Sequence, residues 1–117
     1  MKLEGRLVGP RGIDPGSVVI EDGRIASIRH GPAPGAPLLL PGFVDLHVHG
    51  GGGHDAMDGE KGVHGLAAFH ARHGTTSLCP TTVTESETRL REVVAAVGAV
   101  AASCLEYTAA KPCRQLG

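Results

Sequence analysis

The sequence has no tryptophan, one tyrosine and two phenylalanines among its 117 residues. A core built from it must be filled with valine, leucine and alanine rather than large rings. Cysteine is equally sparse: Cys79, Cys104 and Cys113 are the only three, and no two have Cys-x-x-Cys spacing. That excludes a disulfide framework and a thiolate zinc site, and reduced thiols are expected. No charge of one sign predominates. The net charge is -1 with acids and bases interspersed, so neither nucleic acid nor a membrane surface is expected as a partner. Long apolar runs are missing too. Met1 to Gly12 carries charges and glycine where a secretory signal needs an apolar run. The longest apolar stretch, Val93 to Leu105, is too short to span a bilayer. A cytoplasmic protein is expected.

What remains is ordinary for a folded chain: 41% hydrophobic and 20% charged residues, enough for one small core. Near the start, Val18-Val19-Ile20, the pair Asp22-Gly23 and the alternating Arg24-Ile25-Ala26-Ser27-Ile28 predict a β-hairpin. A further strand over Lys2 to Val8 would make it a small antiparallel sheet. His30 to Pro37, with three prolines and two glycines, reads as a linker, which places a boundary near residue 40.

Beyond it the pattern changes. Phe43 to His49 reads as a short buried strand, followed by the glycines at 50–53 and a helix from about Glu60 to His73 that Gly74 closes. A second strand, Thr75 to Cys79, runs into Pro80-Thr81-Thr82. Thr84 and Glu87 then have the spacing of a capping box, and Leu90, Val93, Val94, Val97, Val100 and Ala101 form a helical stripe. The order βαβα implies a parallel sheet, either doubly wound or a (β/α) barrel. Eight such units need roughly 200–250 residues, and two are visible.

Side chains alternate along a strand, so Asp45, His47 and His49 share one face and Val44, Leu46 and Val48 the other. Histidines two apart are roughly 6–7 Å apart at the backbone, from a rise of about 3.3 Å per residue. Both rings can then reach one divalent ion. The glycines that follow leave the C-terminal end of the strand open, where active sites form in parallel α/β folds. Asp45 is expected to orient a histidine by accepting its second ring proton. His64, His70 and His73 on the following helix are expected to serve the surface or packing, and Cys79 to be a buried small thiol rather than a nucleophile. His54 and Asp55, with Asp58, sit in a polar loop that needs no ligand to explain it but lies where a sugar could approach.

Pro-Gly-Phe-Val-Asp-Leu-His-Val-His-Gly at 41–50 resembles the first barrel strand of the amidohydrolase superfamily. Gly51 to Asp58 and His73 to Thr84 are similar to the corresponding stretches of N-acetylglucosamine-6-phosphate deacetylases, and the Asp22-Gly23 hairpin to the small β domain that precedes the barrel there. The resemblance covers about residues 1–101. It implies an α/β chain: a partial, β-sandwich-like domain over 1–40, the first βαβα units of an incomplete (β/α)8 TIM-like barrel over 41–102, and an unmatched tail over 103–117. It implies that His47 and His49 ligate a divalent metal, zinc or iron, and that His54 and Asp55 lie in a substrate loop. The substrate of an intact relative is N-acetylglucosamine 6-phosphate, whose acetamide is hydrolysed to acetate and glucosamine 6-phosphate.

The family also uses a later glutamate in a Leu-Glu-Gly-Pro setting, two more histidines and a late aspartate. Leu105-Glu106 is followed here by Tyr107 and Thr108, so Glu106 is a weak match to that ligand, and none of the catalytic acid/base residues is expected within the chain. The pattern breaks near residue 103, as an interrupted reading frame would make it. A fragment with two of the ligands is expected to lack turnover. Two other readings stay open: a non-catalytic metal-binding module that forms homo-oligomers through exposed edges, and a piece of a dihydroorotase-like or hydantoinase-like amidohydrolase.

Overall fold

A computed structural model describes residues 1–32 and 37–110, with side chains through residue 103. The chain divides into two compact units, one over Met1–Pro41 and one from Gly42 onward.

The first unit is a single four-stranded sheet in the order β3-β2-β1-β4. Strands β1 (Lys2–Gly9), β2 (Gly12–Glu21) and β3 (Arg24–His30) are antiparallel neighbours, while β4 (Leu38–Leu39) lies parallel to β1. The sheet is therefore mixed, where the sequence pointed to an antiparallel one. β2 also begins well before its apolar run, because Gly9 pairs with Gly12 across a tight Pro10-Arg11 connection. The Asp22-Gly23 turn forms as expected, with φ of 49° and 72°. Both values are positive, as the turn that matches strand twist requires. One face of the sheet, with Leu3, Leu7, Val18, Ile20, Ile28 and Leu39, lines an apolar hollow of about 370 Å³. At the outer end, the Lys2 ammonium 2.5 Å from Glu4 holds that exposed carboxyl below the usual carboxylate range.

The second unit is α/β. Strand β5 (Phe43–Val48) pairs in parallel with β8 (Thr75–Pro80), and the helix α1 (Gly59–Ala71) connects them. Between β5 and α1 the chain makes a miniature antiparallel pair, β6 (Gly50–Gly51) with β7 (His54–Asp55), and a 3-10 turn over Ala56–Asp58. The long helix α2 (Glu87–Ala110) follows β8 and packs on α1. No helix among the described residues is long and apolar enough to cross a membrane.

The core of this unit sits beneath the end of β5. Val48, Ala56 and Leu66 are buried together, with Leu78 against them. The expectation of a buried β5 fails elsewhere on the strand. Val48 is 7% exposed, but Val44 is 64% exposed and Leu46 78%. The cause is that β5 has one strand neighbour among the described residues, β8, and the helices cover only its C-terminal end.

Three further expectations change at α2. Its cap is Ser86, whose Oγ accepts the amide of Arg89 at 3.3 Å, rather than Thr84, so the helix starts at Glu87. Its buried stripe is narrower than the sequence suggested: Val93 and Val100 are buried, Leu90 and Val97 half-buried, while Val94 and Ala101 face outward. The 103–110 stretch, read as the start of a tail, continues the helix to Ala110. Residues 111–117 lie outside the described residues.

Candidate metal centre

The histidine pair occupies the C-terminal end of β5, where the ladder with β8 is irregular. Asp45 pairs with Leu78, and the next partners are Val48 and Pro80, so β5 spends one more residue than β8 across the same interval. An extra residue of this kind bends the strand and re-aims its side chains. The outcome is convergence. The Nε2 atoms of His47 and His49 lie 3.1 Å apart, with ring centroids 4.9 Å apart and planes at 78°.

That spacing suits an ion held jointly. Tetrahedral zinc with Zn–N bonds of about 2.0–2.1 Å places two donor nitrogens roughly 3.3–3.4 Å apart. The observed pair needs to open by only a few tenths of an ångström. Imidazole donors at this spacing accept zinc, iron or cobalt alike, so the metal's identity is not set by the pair. Both rings are exposed, which leaves the position between them accessible from solvent.

The surroundings hold the pair through the backbone as much as through side chains. Asp45 Oδ1 accepts the main-chain amide of His47 at 3.1 Å. It braces the backbone of His47 instead of taking a ring proton, as the sequence reading expected. The ring partner is Thr81: Nδ1 of His49 donates to the Thr81 carbonyl at 2.9 Å. The carbonyl of His49 accepts from Ala56, and that of Val48 from Thr81, both at 2.7 Å. Sequence reasoning did not find Thr81, because a main-chain acceptor carries no side-chain signature. Its neighbour Pro80 at the strand end was the available signal.

The loop candidates have structural occupations. Asp55 Oδ1 accepts the amide of Met57 at 2.8 Å and so caps the 3-10 turn. The ring of His54 lies on α1 where Gly65 leaves room, its Cγ 2.3 Å from the point a Cβ would occupy. His70 Nε2 contacts the Gly50 carbonyl at 3.2 Å, which ties α1 to the glycine loop, and His73 Nδ1 binds back to Phe69 at 2.9 Å. His64 is exposed, and so is the free thiol of Cys79, which the sequence reading expected to be buried. Among the described residues no third His, Cys, Asp or Glu side chain joins the pair. Glu106 lies on α2, and its side chain falls outside the described residues.

No family model matches the chain. Relatives nevertheless share much of its length. It is 40% identical over 105 residues to an N-acetylgalactosamine-6-phosphate deacetylase of Escherichia coli O157:H7, covering 85% of this chain and 27% of that protein. It is 37% identical over 90 residues to the N-acetylglucosamine-6-phosphate deacetylase of Homo sapiens, covering 74% of this chain and 22% of the relative. The chain thus spans about a quarter of the length of these curated relatives. The solved N-acetyl-D-glucosamine-6-phosphate deacetylase of Mycobacterium smegmatis superposes with a TM-score of 0.73 at 28% identity, over 85% of this chain and 31% of that one. A variant of the same enzyme has been solved in complex with N-acetyl-D-glucosamine-6-phosphate, with a TM-score of 0.72. In sequence and in fold alike, this chain is similar to the N-terminal part of the N-acetylglucosamine-6-phosphate deacetylases.

Proposed function

We propose that the chain supplies the first two metal ligands, and the strand that carries them, to a metal-dependent amidohydrolase acting on N-acetylated amino-sugar 6-phosphates. The observation that carries this reading is the 3.1 Å approach of the His47 and His49 Nε2 atoms at the C-terminal end of a parallel strand. Parallel strands of α/β enzymes present their chemistry at that end, and the order β5–α1–β8–α2 is the one expected of the first two units of a (β/α) barrel. A bound divalent ion would lower the pKa of its water and polarise the acetamide carbonyl.

The chain's own residues have the supporting tasks. His47 and His49 offer ring nitrogens to one ion, Asp45 and Thr81 fix the backbone and the ring behind them, and the glycines at 50–53 leave space above the strand end. His54 and Asp55 are engaged in packing and capping, so sugar contacts are not assigned to them. With two ligands and no acid/base partner among the described residues, the 117-residue chain is expected to bind metal without turnover.

Elemental analysis of the purified protein, paired with acetate release from N-acetylglucosamine 6-phosphate, tests this for the wild type and for His47→Ala/His49→Ala. Stoichiometric metal that the double variant loses, without turnover, is the expected result. Absence of metal from the wild type would sink the reading. Turnover by the 117-residue chain would show that it carries more of the machinery than proposed.

A second reading, a non-catalytic module that pairs with another copy of itself, is favoured by the exposed apolar side chains of Phe43, Val44 and Leu46 on a strand with a single strand neighbour among the described residues. A monomer in sedimentation at tens of micromolar would count against it.

A further inference from the structure

We infer that the main-chain carbonyl of Thr81 is the positioning group of the histidine pair: it keeps the hydrogen of neutral His49 on Nδ1 and so presents a bare Nε2 toward His47. The inference deepens the metal-binding reading and rests on it only where metal is used as the readout.

The assignment follows from the inventory of donors. A carbonyl oxygen has lone pairs and no hydrogen, so in the 2.9 Å contact Nδ1 of His49 is the donor. A neutral imidazole has one N–H, which leaves Nε2 of His49 as an acceptor. That Nε2 lies 3.1 Å from the Nε2 of His47. His49 therefore faces the shared position with its lone pair already in place.

Thr81 is itself held firmly enough to dictate this. Its amide donates to the Val48 carbonyl at 2.7 Å, and its Oγ1 donates to the Cys79 carbonyl at 3.1 Å. One residue thus grips two consecutive residues, Val48 at the end of β5 through its N–H and His49 just beyond it through its C=O. Pro80 immediately before it, the last residue of β8 and the partner of Val48, has a fixed φ and no N–H. The Pro80-Thr81-Thr82 sequence therefore has a task at the site although none of its side chains reaches a histidine.

An amide-to-ester exchange tests the inference. The segment from Cys79 onward can be made chemically and joined to residues 1–78 at that cysteine. Incorporating the α-hydroxy analogue of threonine at position 82 turns the Thr81 carbonyl into a weaker ester acceptor. The Thr82 N–H lost in the exchange makes no hydrogen bond among the described residues. Imidazole 15N spectra of the metal-free wild type should show His49 hydrogenated at Nδ1 and bare at Nε2. The ester form should lose that preference and bind zinc about tenfold more weakly, the lower end of what removing an outer hydrogen-bond partner costs. A wild-type His49 hydrogenated at Nε2, or an ester form with unchanged tautomer and zinc affinity, overturns the inference. The expected tautomer change with no zinc binding by either form upholds the role of Thr81 and refutes the metal-binding reading instead.

Discussion

The main-chain carbonyl of His49 accepts the amide of Ala56 at 2.7 Å, so the second histidine of the pair is tied directly to the turn that opens α1. Ala56 is fully buried beside Val48 and Leu66. Anything that lifts this turn off the helix therefore moves His49 at the end of β5.

Gly62 of α1 is the most direct way to do so. A Cβ there would stand 2.0 Å from the Asp55 carbonyl oxygen, a backbone atom that cannot swing aside. Gly→Ala inside a helix ordinarily gains about 1 kcal/mol, but overpacking of this kind costs about 1–3 kcal/mol, and the clash should win. Gly62→Ala is expected to lower the urea midpoint of the second unit and weaken zinc binding together. A rise in the midpoint would mean that the turn gives way freely.

Leu66 is buried completely at the centre of the same cluster. Leu66→Ala removes its contacts with Val48 and Ala56, and a cost of about 2–5 kcal/mol is expected from the lost burial and the cavity left behind. Chemical denaturation followed by far-ultraviolet circular dichroism measures it.

At the start of α2, the two capping candidates give opposite expectations. Ser86→Ala should cost about 1 kcal/mol, because Ser86 Oγ satisfies the Arg89 amide. Thr84→Ala should fall within about 0.5 kcal/mol of wild type, as expected of a surface position. Equal effects in thermal unfolding would return the cap to Thr84.

Leu46→Lys on the open side of β5 should leave folding stability within about 0.5 kcal/mol, since the side chain is mostly in water. If copies of the chain associate through this strand, the same substitution should abolish the dimer in sedimentation velocity runs. A dimer that survives it would place the contact elsewhere.

Much of this organisation was legible in local chemistry. Asp22-Gly23 demands positive φ and the turn has it, and the alternation that set His47 and His49 on one face is what lets their rings meet. Period and turn residues act over a few positions, so the sequence displays them directly. The burial of β5 was less legible, because Val44 and Leu46 have the composition of core residues and only the number of neighbouring strands decides whether they are covered. The α2 cap was ambiguous for a similar reason: Thr84 and Ser86 are both good capping residues, and the path of the chain after Thr82 selects between them. Thr81 could not be found by residue type at all, since its contribution to His49 is a carbonyl that every residue possesses.

The contact between His49 and Thr81 spans 32 residues of one continuous stretch, with β6, β7, α1 and β8 inside it. During synthesis at about 5–20 residues per second, Thr81 is added within a few seconds of His49. The paired rings can therefore be set in the nascent chain as soon as Thr81 clears the ribosome.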